Sequence, residues 1–294
     1  MLRRTALGIL AAGAYSEVRG KQAGRLDQFL DSPRATAVLL DIPGRRLIAA
    51  GNPVLARRSL VPPGSTLKPF VLASLLENGR LKSTEAFPCP GRLRIGNRSF
   101  DCVHPAVAAP LTADVALAYS CNCFVAHVAA RFEPGELARQ LARFGLGSET
   151  GLFGSDEASG RIRATKSDEQ RMQALGEYGV EVTPAALAAA YRLLALKLTQ
   201  PGMEPIRKGL ESAVEFGTAQ KAGVPGQRIA GKTGSAMTPQ GEPVAWFAGI
   251  FYSGILPSSE PKVSLAVMLP GRSGGSDAAP VARRILEGYQ SGAL

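Results

Sequence analysis

The stretch Pro62-Pro63-Gly64-Ser65-Thr66-Leu67-Lys68-Pro69 decides how the rest of the chain is read. Pro-Pro-Gly ends a loop abruptly. From there the apolar residues Leu67, Phe70, Val71 and Leu75 recur at helical spacing, so a helix is expected from Ser65 to Leu76. Residues three apart on a helix share a face, which puts Lys68 within reach of Ser65. A serine hydroxyl is a weak nucleophile near neutral pH and needs a neighbouring base. The chain has only two histidines, His104 and His127, and neither lies near this segment. Both are read as structural, a His-based zinc site is poorly supported, and Lys68 is the expected base for Ser65 as nucleophile.

Two further motifs follow in order. Ser120-Cys121-Asn122 ends a helical run that opens at Leu111-Thr112-Ala113-Asp114, and Lys232-Thr233-Gly234-Ser235 lies in a β-like run. Lys68 can act as a base only if it loses its proton, and burial and a second cation both push a lysine pKa down. Lys232 is the expected second cation. A serine at a helix start lies where backbone N–H groups favour negative charge. The N–H groups of Ser65 and Ser235 are therefore expected to stabilise an oxyanion, with Gly231 and Gly234 letting the strand backbone approach the substrate. Ser120 is expected to relay a proton to a leaving amine, and Asn122 to hold a substrate amide. Lys232, Thr233 and Ser235 suit the carboxylate or carbonyl end of the substrate. Each motif alone is ordinary: a capping serine, a helix-end asparagine, a turn. The ordered set is not.

Outward from these motifs, Ala35 to Ile42 and Arg46 to Ala50 read as strands about a Pro43-Gly44 turn, and Pro53 to Pro63 as a loop. Residues 80–110 are loop-rich, Glu133 to Phe144 is a short helix, and Thr183-Pro184 opens another that runs to Leu198. Arg228 to Ser235, Val244 to Ser253 and Lys262 to Pro270 are β-like, and Asp277 to Tyr289 is a final helix. Early strands, a helical middle and late strands imply an α/β (α+β) fold. Its sheet is assembled from both chain ends, with a helical insertion over roughly residues 70–225. The basic head Met1-Leu2-Arg3-Arg4, a short apolar body and Ala12-Gly13-Ala14 resemble a secretory signal or membrane-targeting segment over residues 1–15. Residues 16–34 read as a tether, and 35–294 as the folded domain. No segment reaches the roughly 20 apolar residues of a membrane span.

At 294 residues, with 45% hydrophobic and 20% charged side chains, the chain can bury a sizeable core. Its net charge of +10, carried mostly by arginine, suits an anionic envelope polymer. The basic residues are scattered without interleaved aromatics, so no nucleic-acid partner is expected. Cys89 and Cys102 lie in a loop that can close as a disulfide in an oxidising compartment. Their spacing disfavours a zinc knuckle. Cys121 and Cys123 read as buried small apolar residues. Neither a metal nor a cofactor is expected.

With these residues in view, the chain resembles the transpeptidase domain of the high-molecular-weight penicillin-binding proteins, within the serine β-lactamase and D,D-transpeptidase superfamily. The likeness extends beyond Pro62–Pro69. Ala116 to Asn122, Gly176-Glu177-Tyr178-Gly179 leading to Val182-Thr183-Pro184, Gly217-Thr218-Ala219, Gly231 to Ala236, and Ala245-Trp246-Phe247-Ala248-Gly249 are similar to that family's segments. It covers about residues 35–290. The resemblance implies a central antiparallel sheet flanked by helices, an all-helical lobe, and the site between them. It also implies a D-Ala-D-Ala transpeptidase acting on peptidoglycan stem peptides through an acyl-enzyme on Ser65, with β-lactam antibiotics as covalent inhibitors. The setting it implies is periplasmic or extracytoplasmic, with association through the N-terminus to a membrane and a glycosyltransferase or divisome or elongasome protein as partner. No glycosyltransferase or pedestal module is seen before residue 35, so a bare catalytic domain is expected.

Neighbouring functions share the acylation step. A D,D-carboxypeptidase would pass the acyl group to water, and pocket details decide between the two. A β-lactamase is disfavoured: no E-x-x-L-N segment is present, Asn122 stands where class D enzymes have an apolar residue, and Tyr178-Gly179-Val180 replaces Tyr-Gly-Asn. A β-lactam sensor normally needs a transmembrane partner domain, and a degenerate scaffold is opposed by the intact motifs.

Overall fold

A computed structural model describes residues 25–294 apart from Ala108 and Ser155. The signal-like segment 1–15 and the first part of the tether lie outside the described residues. Among the described residues nine strands occur: β1 Thr36–Asp41, β2 Arg46–Gly51, β3 Arg94–Ile95, β4 Arg98–Ser99, β5 Arg161–Ile162, β6 Val180–Glu181, β7 Ile229–Met237, β8 Pro243–Tyr252 and β9 Pro261–Pro270. Five form one antiparallel sheet in the order β2-β1-β9-β8-β7. The first two strands are thus completed by the last three, as expected from the pattern, and β3–β4 and β5–β6 are two small separate pairs.

Among the described residues the α-helices are α1 Pro53–Arg58, α2 Lys68–Glu77, α3 Ala113–Ala118, α4 Asn122–Ala129, α5 Glu136–Arg143, α6 Ser167–Ala174, α7 Pro184–Lys197, α8 Glu204–Glu215 and α9 Ala279–Gln290. Side chains alternate across a strand, so each long strand feeds two cores. One face, with Val38, Trp246, Ala248 and Ala266, packs on the helical lobe between β2 and β7. The other, with Leu39, Phe247, Phe251 and Leu265, is covered by α9. Helix α7 is fixed to the lobe face by polar bonds as well: Ser264 Oγ donates to the Ala188 carbonyl at 3.0 Å and Arg192 Nε to the Ile42 carbonyl at 2.7 Å.

Three local outcomes differ from the sequence reading. Residues 53–58 are helical rather than loop, because Asn52 accepts from the Leu55 N–H while Pro53 occupies the first helical position, where a missing N–H costs nothing. Ser65 does not open an α-helix directly. It lies in a 3-10 turn, Gly64–Leu67, and the α ladder starts at Lys68, with Pro69 in its first turn. Residues 25–34 pack against the domain: Leu26 is fully buried, and Phe29 lies where a Cβ on Gly288 would stand.

Candidate active site

The turn carrying Ser65 is held from three sides. Trp246 Nε1 of β8 donates to the Pro62 carbonyl at 3.0 Å, Tyr191 Oη of α7 to the Thr66 carbonyl at 3.0 Å, and Thr66 Oγ1 to the Pro63 carbonyl at 2.7 Å. Gly64 N donates to Gly176 O at 3.1 Å. Edge strand β7 lies directly against this turn. A Cβ on Gly64 would stand 2.4 Å from the Ser235 carbonyl oxygen, and one on Gly234 would stand 2.6 Å from the Pro63 oxygen, so only glycine permits the approach at either position. The peptides of Ser65 and Ser235 are neighbours for that reason. The expectation that Gly231 and Gly234 clear space for substrate is corrected. Gly234 makes room for the nucleophile turn, and Gly231 for the Phe247 ring, whose edge would lie 2.6 Å from a Cβ there.

Lys68 is completely buried, and its backbone N–H donates to the Ser65 carbonyl. Its Nζ donates to the Ser120 carbonyl at 2.7 Å, to Ser120 Oγ at 3.2 Å and to Asn122 Oδ1, so the three N–H groups of the ammonium are matched by three acceptors. The first bond depends on an unusual backbone. Ser120 has φ +59°, a left-handed conformation that turns its carbonyl toward Lys68 between α3 and α4. A non-glycine residue pays about 1–3 kcal/mol for this, a strain concentrated at functional turns. Asn122 Nδ2 donates to the Phe100 carbonyl at 3.0 Å. Its amide therefore bridges the lysine to the 89–104 loop, where the sequence reading expects it to hold substrate.

Burial lowers the Lys68 pKa to about 8, opposed by the thiols of Cys121 and Cys102 and by the Glu177 carboxylate. Lys232, on the lobe face of β7, is also fully buried; burial pushes its pKa well below the ordinary lysine range, and the charge of Lys68 pushes it further. Desolvation is the largest cause of the lowered Lys68 pKa, and the repulsion between the two lysines adds to the fall at Lys232.

Ser65, Ser120, Asn122, Thr233, Gly234 and Ser235 line one cleft of about 640 Å³ between the sheet edge and the helical lobe, with the two lysines behind its wall. Thr233 Oγ1 donates to Thr218 Oγ1 at 2.8 Å, and Ser235 Oγ accepts from Gly274 N at 3.2 Å. Sequence reasoning assigned no site role to Thr218, Glu177 or Arg272, which also line the cleft. The first two lie in quoted family-like segments, so a signal existed; Arg272 is a lone arginine with none. Glu177 lies 3.6 Å from Arg98, and burial raises its pKa.

Cys121 and Cys123 are buried, as the sequence reading expects, whereas Cys89 and Cys102 are free thiols rather than a closed disulfide. Cys89 and Cys102 are not separate from Cys121 and Cys123; the loop folds back and brings all four sulfurs together, with His104 beside them. His127, in contrast, stacks on Phe87 with ring centroids 4.2 Å apart, a structural role.

The penicillin binding protein transpeptidase domain matches residues 35–287. Among curated proteins, the chain is 28% identical to the peptidoglycan D,D-transpeptidase FtsI of Escherichia coli K12, over 95% of this chain and 54% of FtsI. The chain spans about half the length of the curated relatives it matches. Among solved structures, the transpeptidase domain of Burkholderia pseudomallei penicillin-binding protein 3 superposes with a TM-score of 0.77 at 23% identity, covering 91% of this chain and 90% of that one. Penicillin-binding protein 2 of Helicobacter pylori, solved as a complex with MreC, gives a TM-score of 0.76 at 18% identity, covering 92% of this chain and 62% of that one. Fold, motif order and matched length agree, and the chain belongs to the penicillin-binding protein transpeptidase family.

Proposed function

We propose that the chain is a serine D,D-transpeptidase acting on peptidoglycan stem peptides through an acyl-enzyme on Ser65. The observation that carries the reading is Lys68: a fully buried lysine three residues after the candidate nucleophile, brought to a pKa of about 8, and bonded to the second motif. As a neutral amine it keeps two N–H donors and gains a lone pair that can take a hydroxyl proton. In the reaction, Ser65 Oγ attacks the carbonyl of the penultimate D-Ala, and its proton passes to Lys68. The backbone N–H groups of Ser65 and Ser235 bind the oxyanion. The bond to the terminal D-Ala breaks as the leaving amine takes a proton by way of Ser120 Oγ. An acceptor amine then attacks the ester, releases the cross-linked peptide and restores the Ser65 hydroxyl. Lys232, Thr233 and Ser235 hold the carboxylate end of the donor, and β-lactams occupy the same place. No step calls on a cofactor.

The protein works in the periplasm. Among the described residues no helix is long and apolar enough to cross a membrane. A glycosyltransferase or an elongation or division protein is the fitting partner, as MreC is for the Helicobacter pylori protein.

Intact-mass spectrometry after adding penicillin tests the reading. Wild type is expected to gain one lasting adduct per chain and Ser65→Ala none. An adduct that decays with antibiotic turnover means a β-lactamase, and no adduct on folded wild type refutes the acyl-enzyme. Release of D-Ala with and without an acceptor amine separates transpeptidase from carboxypeptidase.

A further inference from the structure

We propose that Cys89, Cys102, His104 and Cys121 form a zinc site that ties the 89–104 loop to the Ser120-Cys121-Asn122 turn. Their ligand atoms all lie within 4.8 Å of one another. The separations are 3.4 Å for Cys89–Cys121, 3.7 Å for Cys89–Cys102, 3.7 Å for Cys102–Cys121, and 3.6 Å from Cys89 Sγ to His104 Nε2. A zinc ion with Zn–S arms of about 2.3 Å and a Zn–N arm of about 2.0 Å sets tetrahedral edges of roughly 3.5–3.8 Å. The four separations are close to these, and the other two, from His104 to Cys102 and Cys121, lie within 4.8 Å. A disulfide instead needs sulfurs about 2.05 Å apart and uses only two of them. Here three sulfurs are nearly equidistant, and no pair is singled out.

The surroundings suit a metal as well. His104 Nδ1 lies 2.8 Å from the Pro105 carbonyl, which fixes the proton on Nδ1 and leaves the Nε2 lone pair facing the sulfurs. Backbone N–H groups of Gly91 and Phe124 donate to Cys89 Sγ and Cys121 Sγ, each at 3.4 Å, as suits thiolate ligands. Cys121 is buried while the other three are half-buried, so an ion has a way in. Cys123 lies 3.6 Å from Cys102 but outside the mutual group, and points to the Arg92 carbonyl. It is a neighbour, not a ligand. Three thiolates and one neutral imidazole favour zinc over hard cations, and a site filled by four protein ligands is structural, with no open position for chemistry. Binding exchanges thiol protons for the metal and needs no oxidant or reductant.

The position gives the site its consequence. Cys121 separates Ser120 from Asn122, and Phe100, Asp101 and Val103 of the same loop line the cleft. Zinc would hold that wall in place. The metal claim stands on the thiol geometry and is independent of the acyl-enzyme reading.

The test uses the full chain, purified without chelator. Expected are one zinc per chain by mass-spectrometric metal analysis, and a thiolate-to-cobalt charge-transfer band when cobalt(II) is added to the stripped protein. His104→Ala and Cys121→Ser should each weaken zinc binding by about 10–100-fold or more, while Cys123→Ser leaves it within about twofold. Hydrogen exchange over residues 89–104 should slow on zinc addition, a readout that needs no variant and no catalysis. The proposal is overturned if folded protein with four titratable thiols takes up no zinc or cobalt. A Cys89–Cys102 disulfide in the protein as purified, or an iron–sulfur chromophore, overturns it too.

Discussion

Because burial sets the basicity of Lys68, the pH dependence of acylation is predictable in sign and size. An ordinary lysine at 10.5 is neutral in about three molecules per ten thousand at pH 7, whereas one at about 8 is neutral in about one of ten, a gain of roughly 300-fold in available base. The second-order rate of acylation by a fluorescent penicillin, followed by stopped flow, should therefore climb about tenfold per unit below pH 8 and level off above it. The same shift has a cost. The folded pKa lies below the unfolded one, so the unfolded chain binds the extra proton between about pH 8 and 10.5. At 1.36 kcal/mol per unit, this disfavours folding by about 3 kcal/mol below pH 8, a penalty that fades as pH rises through that window. Urea unfolding of wild type and Lys68→Met at several pH values isolates the effect. The stability difference should move by about 3 kcal/mol in favour of wild type between pH 8 and 10.5. An acylation rate that is flat from about pH 6 to 9, or that keeps climbing without a plateau past about 9.5, would refute the assignment of Lys68 as the base.

Two substitutions test how the nucleophile is positioned. Tyr191→Phe removes the donor to the Thr66 carbonyl and leaves that buried oxygen unpaired. A loss of about 1–3 kcal/mol is expected in urea unfolding, with slower acylation and no change in the pH at which the rate levels off. Gly234→Ala puts a Cβ 2.6 Å from the Pro63 oxygen and 2.9 Å from Thr66 Cγ2, both in the turn that carries Ser65. Strand and turn must part, so acylation should fall by about 100-fold or more while overpacking costs about 1–3 kcal/mol. Near-wild-type acylation in that variant would mean the two backbones need not touch.

The arrangement of strands was legible because strand periodicity is local. Val38 and Leu40 alternate with Ala37 and Leu39, and each set belongs to one core, so the burial pattern of β1 is written in six consecutive residues. Short helices were harder. Helix α1 is announced by Asn52-Pro53, yet a proline at the first helical position and a proline in a loop look alike until the cap bond to Leu55 forms. Helices α6 and α8 went unread because polar and charged residues interrupt their apolar faces, and contact with the lobe rather than intrinsic propensity selects them.

For the site, the order and chemistry of the three motifs were enough to name Ser65, Lys68, Ser120, Asn122 and Lys232 through Ser235 from the chain alone, since each motif is a few adjacent residues. What the motifs do to one another is a matter of tertiary contact. The pKa of Lys68 depends on its complete burial and on the nearby charges of Cys121, Cys102 and Glu177, all remote from it in sequence. The room made by Gly234 is used by Pro63, from the opposite end of the chain. The meeting of Cys89, Cys102 and His104 with Cys121 requires the loop to fold back onto the second motif. Pattern and spacing report which groups a chain carries; distance, burial and shared space between remote segments exist only once it is folded.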